Sequence, residues 1–375
     1  MDNQLTEYEL RRRKQQRIAQ KKKKAAKRRR RKILIFMAEL MVFFVVVVAL
    51  FGITKWDKIQ KPSFTKNEIK VNEDINEDVL EVMKGYSTYV LFGVDARDRD
   101  QLDKGIHSDT IMIVSVDHDT GDIRIVSVFR DTYLCVSEED KFGKINGAYM
   151  TGGPLNAINM LNRNFDLSID GYVTVNWYAL AKTIDLLGGV EVNITEDMIN
   201  NPKHGNMLNG YIIETSQSTG VPSMGVDKPG LQTLNGIQAV AYSRIRYVSG
   251  GDYTRTEHQR EVVGLMFEKA KKMSFGQLNS IIDEVLPNIS TNIDIGEALS
   301  LAKLITKYNI IMGEGFPYEK TTKRIPELNN ADCVLTIDFA SNVARMHDAL
   351  YGSGASYVPS SEVQRIQKII EKQID

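Results

Sequence analysis

One long apolar run near the N-terminus constrains this chain more than any other feature. Residues 33–54 (ILIFMAELMVFFVVVVALFGIT) contain a single charged side chain, Glu39. As an α-helix the run would be about 33 Å long, which is enough to cross a hydrocarbon core of about 30 Å. The apolar core of a cleaved signal peptide is shorter, about 7–15 residues, and no small-residue cleavage motif follows. We therefore expect one uncleaved transmembrane helix at 33–54.

The charges on the two sides of this run are unequal. Residues 1–32 hold fifteen Lys and Arg against three acids, whereas the rest of the chain holds 33 bases against 45 acids. Because a dense basic flank stays in the cytoplasm, the sequence predicts a single-pass cell-membrane protein with a cytoplasmic N-terminus and an extracellular main domain. No helix-turn-helix or zinc motif accompanies the basic tail. We expect it to attract anionic membrane lipid, and no nucleic acid is expected as a partner.

The rest of the chain divides into a polar segment and a globular part. Residues 55–85 have few large apolar side chains and are expected to form an extracytoplasmic stalk. In residues 86–375, β-branched runs alternate with segments of helical periodicity, which is typical of α/β proteins. A Gly- and Asp-containing turn joins the runs at 111–117 and 123–128, so a hairpin is expected and the sheet must be mixed. We predict an α/β/α layered domain with a central mixed β-sheet.

The same pattern places individual elements. Strands are expected at 88–93, 111–117, 123–128, 172–175 and 190–194. Helices are expected at 154–164, 177–187, 235–242, 255–272, 296–308 and 359–373. Residues 195–230 are rich in Gly, Asn, Pro and Ser and are expected to be irregular. A loop of that length is often functional.

Several common kinds of site are missing from the sequence. The five histidines form no metal-ligand cluster, and there is no Walker loop, nucleophile elbow or zinc motif. Cys135 and Cys333 are far apart in the chain. The sequence leaves open whether they form a disulfide or remain two separate buried thiols.

Residues 243–260 (SRIRYVSGGDYTRTEHQR) carry four arginines. If this stretch is extended, Arg244 and Arg246 point to one face. The TRTE tetrapeptide has the form of a capping box, so a helix is expected to begin at about Arg255. A cation is unfavourable at the positive end of a helix, and an anion bound there would explain it. The alternative is an exposed arginine in a solvated first turn.

Charged residues also lie at the expected strand ends. Arg130 and Asp131 follow the run at 123–128, and ligands of α/β sheets usually bind at such ends. An ordinary surface ion pair is the alternative. Asp95 follows the first strand and Asp109 precedes the second. Two such carboxylates can share a hard cation such as Mg²⁺ with phosphate oxygens, although both are also common turn residues. Arginines beside that cation would suit a diphosphate.

Seven segments in this order carry a family resemblance. They are LFGVDARDRD, HSDTIMIVSVD, IRIVSVFRDTYL, KINGAY, IDLLGGVEV, LNGIQAVAYSRIR and GDYTRTEHQR, within about residues 86–272. Together they resemble the LytR-CpsA-Psr family. The resemblance implies a Mg²⁺-dependent phosphotransferase outside the membrane. Such an enzyme moves a glycosyl-phosphate polymer from a polyprenyl-diphosphate carrier to peptidoglycan. The polymer could be teichoic acid, capsule or another wall glycan.

Carried over by motif, the resemblance assigns roles to individual residues. Asp95 and Asp109 would hold Mg²⁺. The catalytic clamp on the diphosphate would consist of Arg130, Arg244, Arg246 and Arg255. Further substrate contacts would come from Arg97, Asp131, Asp252, Gln259 and Arg260. Asp131 is expected to orient an arginine rather than to abstract a proton.

The sequence departs from the family pattern at two positions and leaves two other functions open. Gly147 and His258 stand where the family often has His and Arg, which puts outer contacts on the acceptor side in doubt. The same site could hydrolyse a polyprenyl diphosphate with water as acceptor. Alternatively, the chain could be a membrane-tethered regulator of transcription. A cleft for the lipid tail is expected between the helices near 179–187 and 239–242.

Overall fold

The computed structural model describes residues 59–95, 102–246, 252–270, 273, 284–294, 296–297, 310–352 and 357–374. The predicted basic tail and the predicted transmembrane segment at 33–54 lie outside these ranges. None of the helices that are described has both the length and the apolar composition needed to cross a membrane.

The strands of the described chain form one large sheet and three small two-stranded sheets. They are β1 (Tyr86–Val94), β2 (Ser108–Asp117), β3 (Ile123–Val128), β4 (Tyr133–Cys135), β5 (Phe142–Lys144), β6 (Gly171–Asn176), β7 (Val190–Ile194), β8 (Gly230–Leu234), β9 (Ile289–Thr291), β10 (Ile310–Met312), β11 (Lys320–Ile325) and β12 (Ala331–Thr336). The pairs β4–β5 and β11–β12 are antiparallel hairpins, and β7 pairs antiparallel with β8 across a longer connection.

The large sheet has the strand order β10-β3-β2-β1-β6-β9. β2 runs antiparallel to both β1 and β3, whereas β6 is parallel to β1 and β10 is parallel to β3. The predicted mixed sheet and the predicted β2–β3 hairpin are therefore confirmed.

Helices cover both faces of this sheet. They are α1 (Glu77–Lys84), α2 (Asn146–Phe165), α3 (Trp177–Leu186), α4 (Glu196–Ile199), α5 (Met207–Thr219), α6 (Gly236–Tyr242), α7 (Asp252–Ala270), α8 (Phe339–Tyr351) and α9 (Ser361–Ile374). One apolar core contains residues of α3, α5, α6 and α7, and the other contains residues of α1, α2, α8 and α9. Ile113 and Val114 are fully buried neighbours on β2 that belong to opposite cores, as the pleat of a strand requires.

Helix α2 begins earlier than the helix expected at 154–164, and it is kinked. Gly152 and Gly153 have non-helical dihedral angles, and φ of Gly153 is +66°. A Cβ atom at Gly153 would lie 2.4 Å from the carbonyl oxygen of Asp103. The Tyr149 hydroxyl donates a hydrogen bond of 2.6 Å to the carbonyl oxygen of Leu102. The kink therefore lets the chain that returns towards β2 pack closely against α2.

The prediction that 195–230 is irregular is wrong, because α4 and α5 lie within this segment. The side chain of Asn206 accepts a hydrogen bond from the backbone N–H of Asn209 and caps the start of α5. Leu208 and Ile212 of α5 are buried in the core. The many small and polar residues of α5 hid this narrow apolar face. The hairpins β4–β5 and β11–β12, together with α8, were also missed.

The folded region extends beyond the expected boundary at residue 86. Phe64, Ile75, Val79 and Met83 lie in the segment expected to be a stalk, yet all four are buried in the core beside α2. Their burial attaches at least part of residues 59–85 to the domain. The sparse apolar residues of this segment are spaced so that most of them face the core.

The question about the two cysteines is answered by the structure. Cys135 on β4 and Cys333 on β12 are both buried and both are free thiols. Burial raises the pKa of the Cys333 thiol to about 11, so this side chain stays protonated at neutral pH.

Candidate active site

Three strands end and one begins at the same edge of the large sheet. Val94 at the end of β1 pairs with Ser108 of β2 and with Asn176 at the end of β6. Val128 at the end of β3 pairs with Ile111 of β2. Because neighbouring strands lie about 4.8 Å apart, the residues beside these four positions form one continuous border. We call it the carboxyl edge of the sheet.

Asp109 is placed at the carboxyl edge by an irregularity in β2. Gly93 pairs with Thr110 and Val94 pairs with Ser108, so Asp109 is an extra residue in β2 at this point. A bulge of this kind changes the direction in which a side chain points. The Asp109 carboxylate accepts a hydrogen bond from Nη1 of Arg130 and forms an ion pair with it. A predicted metal ligand and a predicted phosphate ligand are thus in direct contact.

Arg130 is one member of a chain of alternating charges. Its Nε atom lies 3.4 Å from Oδ2 of Asp131, and Oδ1 of Asp131 lies 2.9 Å from Nζ of Lys144. The Arg130 side chain is 12% exposed. The pair between Arg130 and Asp131 is therefore present, but it is largely buried rather than at the surface. The Asp131 carboxylate contacts two cations, Arg130 and Lys144. Such contacts suit a residue that is expected to orient an arginine.

Helix α7 brings Arg255 and Gln259 to the same place. Together with Asp109, Arg130 and Thr256, these side chains line a cavity of about 220 Å³ that is open to solvent. Arg255 is only 4% exposed, so the alternative of a solvated arginine in an exposed first turn is wrong. The cavity unites residues that the sequence analysis drew from three separate motifs.

The start of α7 differs from the prediction. The helix already includes Asp252, so Thr254 lies within it and the expected capping box does not begin it. Val262 and Met266 continue the line of Arg255 and Gln259 along the helix and are buried in the core. Arg255 consequently lies in the first turn of a helix whose apolar face is fixed. The helix dipole adds positive potential at this end, which favours a bound anion.

Arg244 reaches the carboxyl edge from the other side of β1. Its guanidinium carbon lies 3.7 Å from the centre of the Trp177 ring, and Trp177 directly follows Asn176 at the end of β6. Nη1 donates to Oγ1 of Thr215 and Nη2 donates to Oε1 of Glu214, each at 2.7 Å. Arg244 therefore lies along the same edge as Arg130, although it does not line the cavity described above.

The chain around Arg244 is not extended, so the condition under which Arg244 and Arg246 would point to one face is not met. The backbone N–H of Arg244 donates to the carbonyl oxygen of Ala241, so Arg244 belongs to the turn that ends α6. Arg246 is half-buried two residues further on.

The remaining predicted substrate contacts are placed less directly. Arg260 is half-buried on α7, and burial lowers the pKa of its guanidinium. Asp252 is the first residue of α7. Arg97 lies outside the described residues.

Asp95 and Asp109 are the expected metal ligands. Asp95 follows the last residue of β1, and Asp109 lies on the neighbouring strand at the same edge. The described part of the chain contains no group of three or more His, Cys, Asp or Glu side chains that could hold a metal by themselves. Two carboxylates suit Mg²⁺, which is usually bound by one or two carboxylates together with water and substrate phosphate.

The expected cleft between α3 and α6 is closed in this structure. A Cβ atom at Gly236 would lie 1.9 Å from the carbonyl oxygen of Ala181. Ala179, Ala239 and Ala241 are also buried at this contact. The small residues Ala181 and Gly236 allow the two helices to approach closely.

Four residues of the site were missed by the sequence analysis. They are Lys144, Trp177, Glu214 and Thr215. Lys144 is the first residue of the KINGAY motif, so the sequence alone could have identified it as a candidate site residue. Glu214 and Thr215 lie on α5, in the segment that was expected to be irregular. They could not be assigned before that helix was known.

Parts of this chain are similar to known proteins. Biofilm regulatory protein A of Streptococcus mutans is 31% identical over 238 residues, which are 61% of this chain and 55% of that protein. The polyisoprenyl-teichoic acid–peptidoglycan teichoic acid transferase TagU of Enterococcus faecalis is 29% identical over 215 residues, which are 57% of this chain and 63% of that protein. The matches thus span less than two thirds of these relatives.

A solved structure supports the fold. The crystal structure of protein gbs0355 from Streptococcus agalactiae superposes with a TM-score of 0.56 at 22% identity, covering 77% of this chain and 95% of that one. A family model matches residues 46–330, which include all the site residues discussed above. The chain belongs to the LytR_cpsA_psr family.

Proposed function

We propose that this chain is a cell-envelope transferase that moves a glycosyl-phosphate polymer from a polyprenyl-diphosphate carrier to peptidoglycan. The observation that carries the proposal is the cavity in which Arg130, Arg255 and Gln259 meet Asp109 at the carboxyl edge. The printed name of the E. faecalis relative, a teichoic acid transferase acting between a polyisoprenyl carrier and peptidoglycan, describes the same type of reaction.

The charge of the cavity suits a diphosphate head group. The cavity is shallow and open to solvent, and its empty space of about 220 Å³ includes the open mouth. We propose that the charged head group binds at this mouth while the lipid tail and the glycan extend outside. Two guanidinium groups can each bind phosphate oxygens through paired N–H donors. We assign the same role to Arg244 and Arg246 from the other side of β1.

The proposed reaction is a displacement at phosphorus. A hydroxyl oxygen of peptidoglycan attacks the phosphorus that carries the glycan, a new P–O bond forms, and the hydroxyl proton passes to water or to the leaving phosphate. The P–O bond to the lipid phosphate breaks, so polyprenyl phosphate leaves with the bonding electron pair. Negative charge grows on the leaving phosphate, and the buried guanidinium groups of Arg130 and Arg255 stabilise it where water is partly excluded. Lys144 and Asp131 hold the Arg130 side chain in place.

We further propose that Asp95 and Asp109 hold Mg²⁺. When bound, the ion would neutralise phosphate charge and polarise the phosphoryl group. Asp109, which pairs with Arg130 in this structure, would supply one carboxylate to the ion.

The expected membrane anchor fits this chemistry. We propose that residues 33–54 hold the domain at the outer face of the cell membrane of a Gram-positive-type envelope, where the lipid-linked polymer is located. An anchor keeps enzyme and lipid substrate at a high effective concentration. The expectation that the basic tail binds anionic lipid rather than nucleic acid remains a prediction.

Attachment of polymer to peptidoglycan tests the proposal. The full-length protein would be incubated with lipid-diphosphate-linked glycan, peptidoglycan and Mg²⁺, and wall-linked glycan would be measured. Arg130→Ala and Arg255→Ala should each lower the rate at least about a hundredfold, because each removes a charge that stabilises the transition state. Arg324→Ala is the matched control, since Arg324 is 73% exposed and pairs with Asp332. Undiminished attachment in both cavity variants would refute the proposal.

The same incubation would identify a hydrolase, and a separate measurement of transcription would identify a regulator. Release of free glycan phosphate without wall-linked product would identify a diphosphate hydrolase. The S. mutans relative is named as a regulatory protein, so transcription should be compared after deletion of residues 1–32. Changed transcription together with no attachment activity would favour the regulator.

A further inference from the structure

Arg244 has two kinds of partner, and they differ in burial. Thr215, which accepts from Nη1, is fully buried, and Trp177, which underlies the guanidinium, is 7% exposed. Glu214, which accepts from Nη2, has a side chain that is 56% exposed. The neutral partners are therefore fixed in the core, whereas the anionic partner lies at the surface.

The neutral partners fix the position of the guanidinium. Trp177 is the first residue of α3, and the side chain of Asn176 caps that helix at 2.7 Å from the N–H of Ala179. Thr215 lies on α5 and its side chain is part of the buried interior. A guanidinium stacked on a ring and bonded to a buried hydroxyl keeps one orientation. The Arg244 head group is thus held at the carboxyl edge without any contribution from Glu214.

Glu214 contributes charge rather than position. The Arg244 side chain is only 13% exposed, but the Glu214 carboxylate lies mostly in solvent, so water competes for its side of the ion pair. Such a pair is broken easily by a stronger anion. A phosphate oxygen with a higher charge can replace the carboxylate at Nη2 while the contacts to Trp177 and Thr215 persist.

We propose that Glu214 is a placeholder anion for the diphosphate at Arg244. It occupies the guanidinium when the lipid-linked substrate is absent, and it must be displaced when the substrate binds. Glu214 therefore weakens substrate affinity and favours release of the phosphorylated product. This inference rests on the proposed function, since it assumes that Arg244 binds the diphosphate of the substrate.

The test measures the affinity of the full-length protein in detergent micelles for farnesyl diphosphate with Mg²⁺, by titration calorimetry. Glu214→Gln keeps the hydrogen-bonding shape and removes the charge. Thr215→Val removes the neutral acceptor of Arg244 with little change in volume. Glu81→Gln is the matched control, because Glu81 is an exposed glutamate that pairs with Lys84 just before the opposite end of β1.

A second readout follows Arg244 itself. The chain has two tryptophans, Trp56 and Trp177, so a Trp56→Phe background isolates the fluorescence of Trp177. The cation that lies over this ring should change its environment when the carboxylate is exchanged for phosphate. Farnesyl diphosphate should therefore alter Trp177 fluorescence, and the ligand concentration at the midpoint should agree with the calorimetric affinity.

We expect Glu214→Gln to bind farnesyl diphosphate about threefold more tightly than the wild type, Thr215→Val to bind at least about threefold more weakly, and Glu81→Gln to match the wild type. Unchanged or weaker binding by Glu214→Gln, with normal binding by the wild type, would overturn the placeholder role alone. If Arg130→Ala binds as tightly as the wild type, the proposed function fails instead. If the wild type does not bind the ligand, both are wrong.

Discussion

Arg255 on α7 and Arg130, two residues after the end of β3, line one cavity, although they belong to different motifs of the chain. Asp109 of β2 lies in the same cavity and pairs with Arg130. Two cations and one carboxylate in so small a volume leave an excess of positive charge. An anionic ligand is the simplest complement to that charge.

Replacement of Arg255 by lysine tests whether geometry or charge alone matters. Lysine keeps the positive charge but loses the planar fork that binds two phosphate oxygens. We expect Arg255→Lys to lower the rate of polymer attachment at least about tenfold, with a melting temperature within about 3 °C of the wild type. Arg345→Lys is the control, because Arg345 lies outside the site, over the ring of Tyr318, and pairs with the exposed Glu314. A full rate in Arg255→Lys would argue against paired phosphate contacts.

Replacement of Asp109 by asparagine tests the proposed metal site. The Asp109→Asn side chain would retain a hydrogen-bond acceptor for Arg130 but would lose the charge that attracts Mg²⁺. We expect the Mg²⁺ concentration for half-maximal attachment to rise at least about tenfold. Asp131→Asn removes a neighbouring carboxylate that contacts Arg130 and Lys144, so it should lower the rate without changing the Mg²⁺ requirement. An equal shift in both variants would show that Asp109 has no special relation to the metal.

Two buried histidines predict a loss of stability in acid. Burial lowers the pKa of His258 and of His347 to about 4, whereas an unfolded histidine has a pKa of about 6.5. Between these values the unfolded chain binds more protons, so stability is complete above pH 6.5 and falls as the pH drops towards 4. The loss should reach about 3 kcal/mol for each histidine.

Chemical denaturation of the full-length protein in detergent at a series of pH values measures this effect. His347 donates from Nε2 to the carbonyl oxygen of Phe165 at 2.7 Å and stacks on Tyr357. His347→Gln can keep that hydrogen bond without a titrating group, so its stability should depend less on pH. The same slope between pH 6.5 and 4 in both proteins would contradict the assignment.

The kink in α2 predicts that alanine substitutions at two glycines of this helix have very different effects on stability. Gly153→Ala would force a positive φ on alanine and place its Cβ atom 2.4 Å from the carbonyl oxygen of Asp103. We expect a loss of about 2–4 kcal/mol in the free energy of unfolding. Gly147→Ala meets no atom within 4 Å and should change stability by less than about 1 kcal/mol. Denaturant titration would measure both, and equal effects would exclude the proposed role of the kink.

Much of the fold was accessible from the sequence because its signals are local. The runs that form β1, β2 and β3 are β-branched, and the turn between β2 and β3 contains Gly121, whose φ is +69°. Helix α5 was hidden because its buried positions are separated by Asn, Gly and Ser. The short hairpin β11–β12 has a largely exposed strand, so it lacks the apolar alternation that marks a half-buried strand.

The site was predictable in its residue types but not in its pairings. Arg130, Arg255 and Asp109 were identified as candidates from their motifs. Their contact depends on the bulge at Asp109 and on the approach of α7 to the sheet, which no local pattern encodes. The partners of Arg244 depend on the packing of α5 against the start of α3. Tertiary contacts of this kind cannot be predicted from the spacing of residues along the chain.

In the proposed function, Arg130 and Arg255 bind the two phosphates of one lipid head group. The affinities of the full-length protein, with Mg²⁺, for farnesyl diphosphate and farnesyl monophosphate test this directly. The wild type should prefer the diphosphate at least about tenfold, and Arg130→Ala and Arg255→Ala should each lose most of that preference. Equal affinity of the wild type for both ligands, or an unchanged preference in the two variants, would contradict the claim.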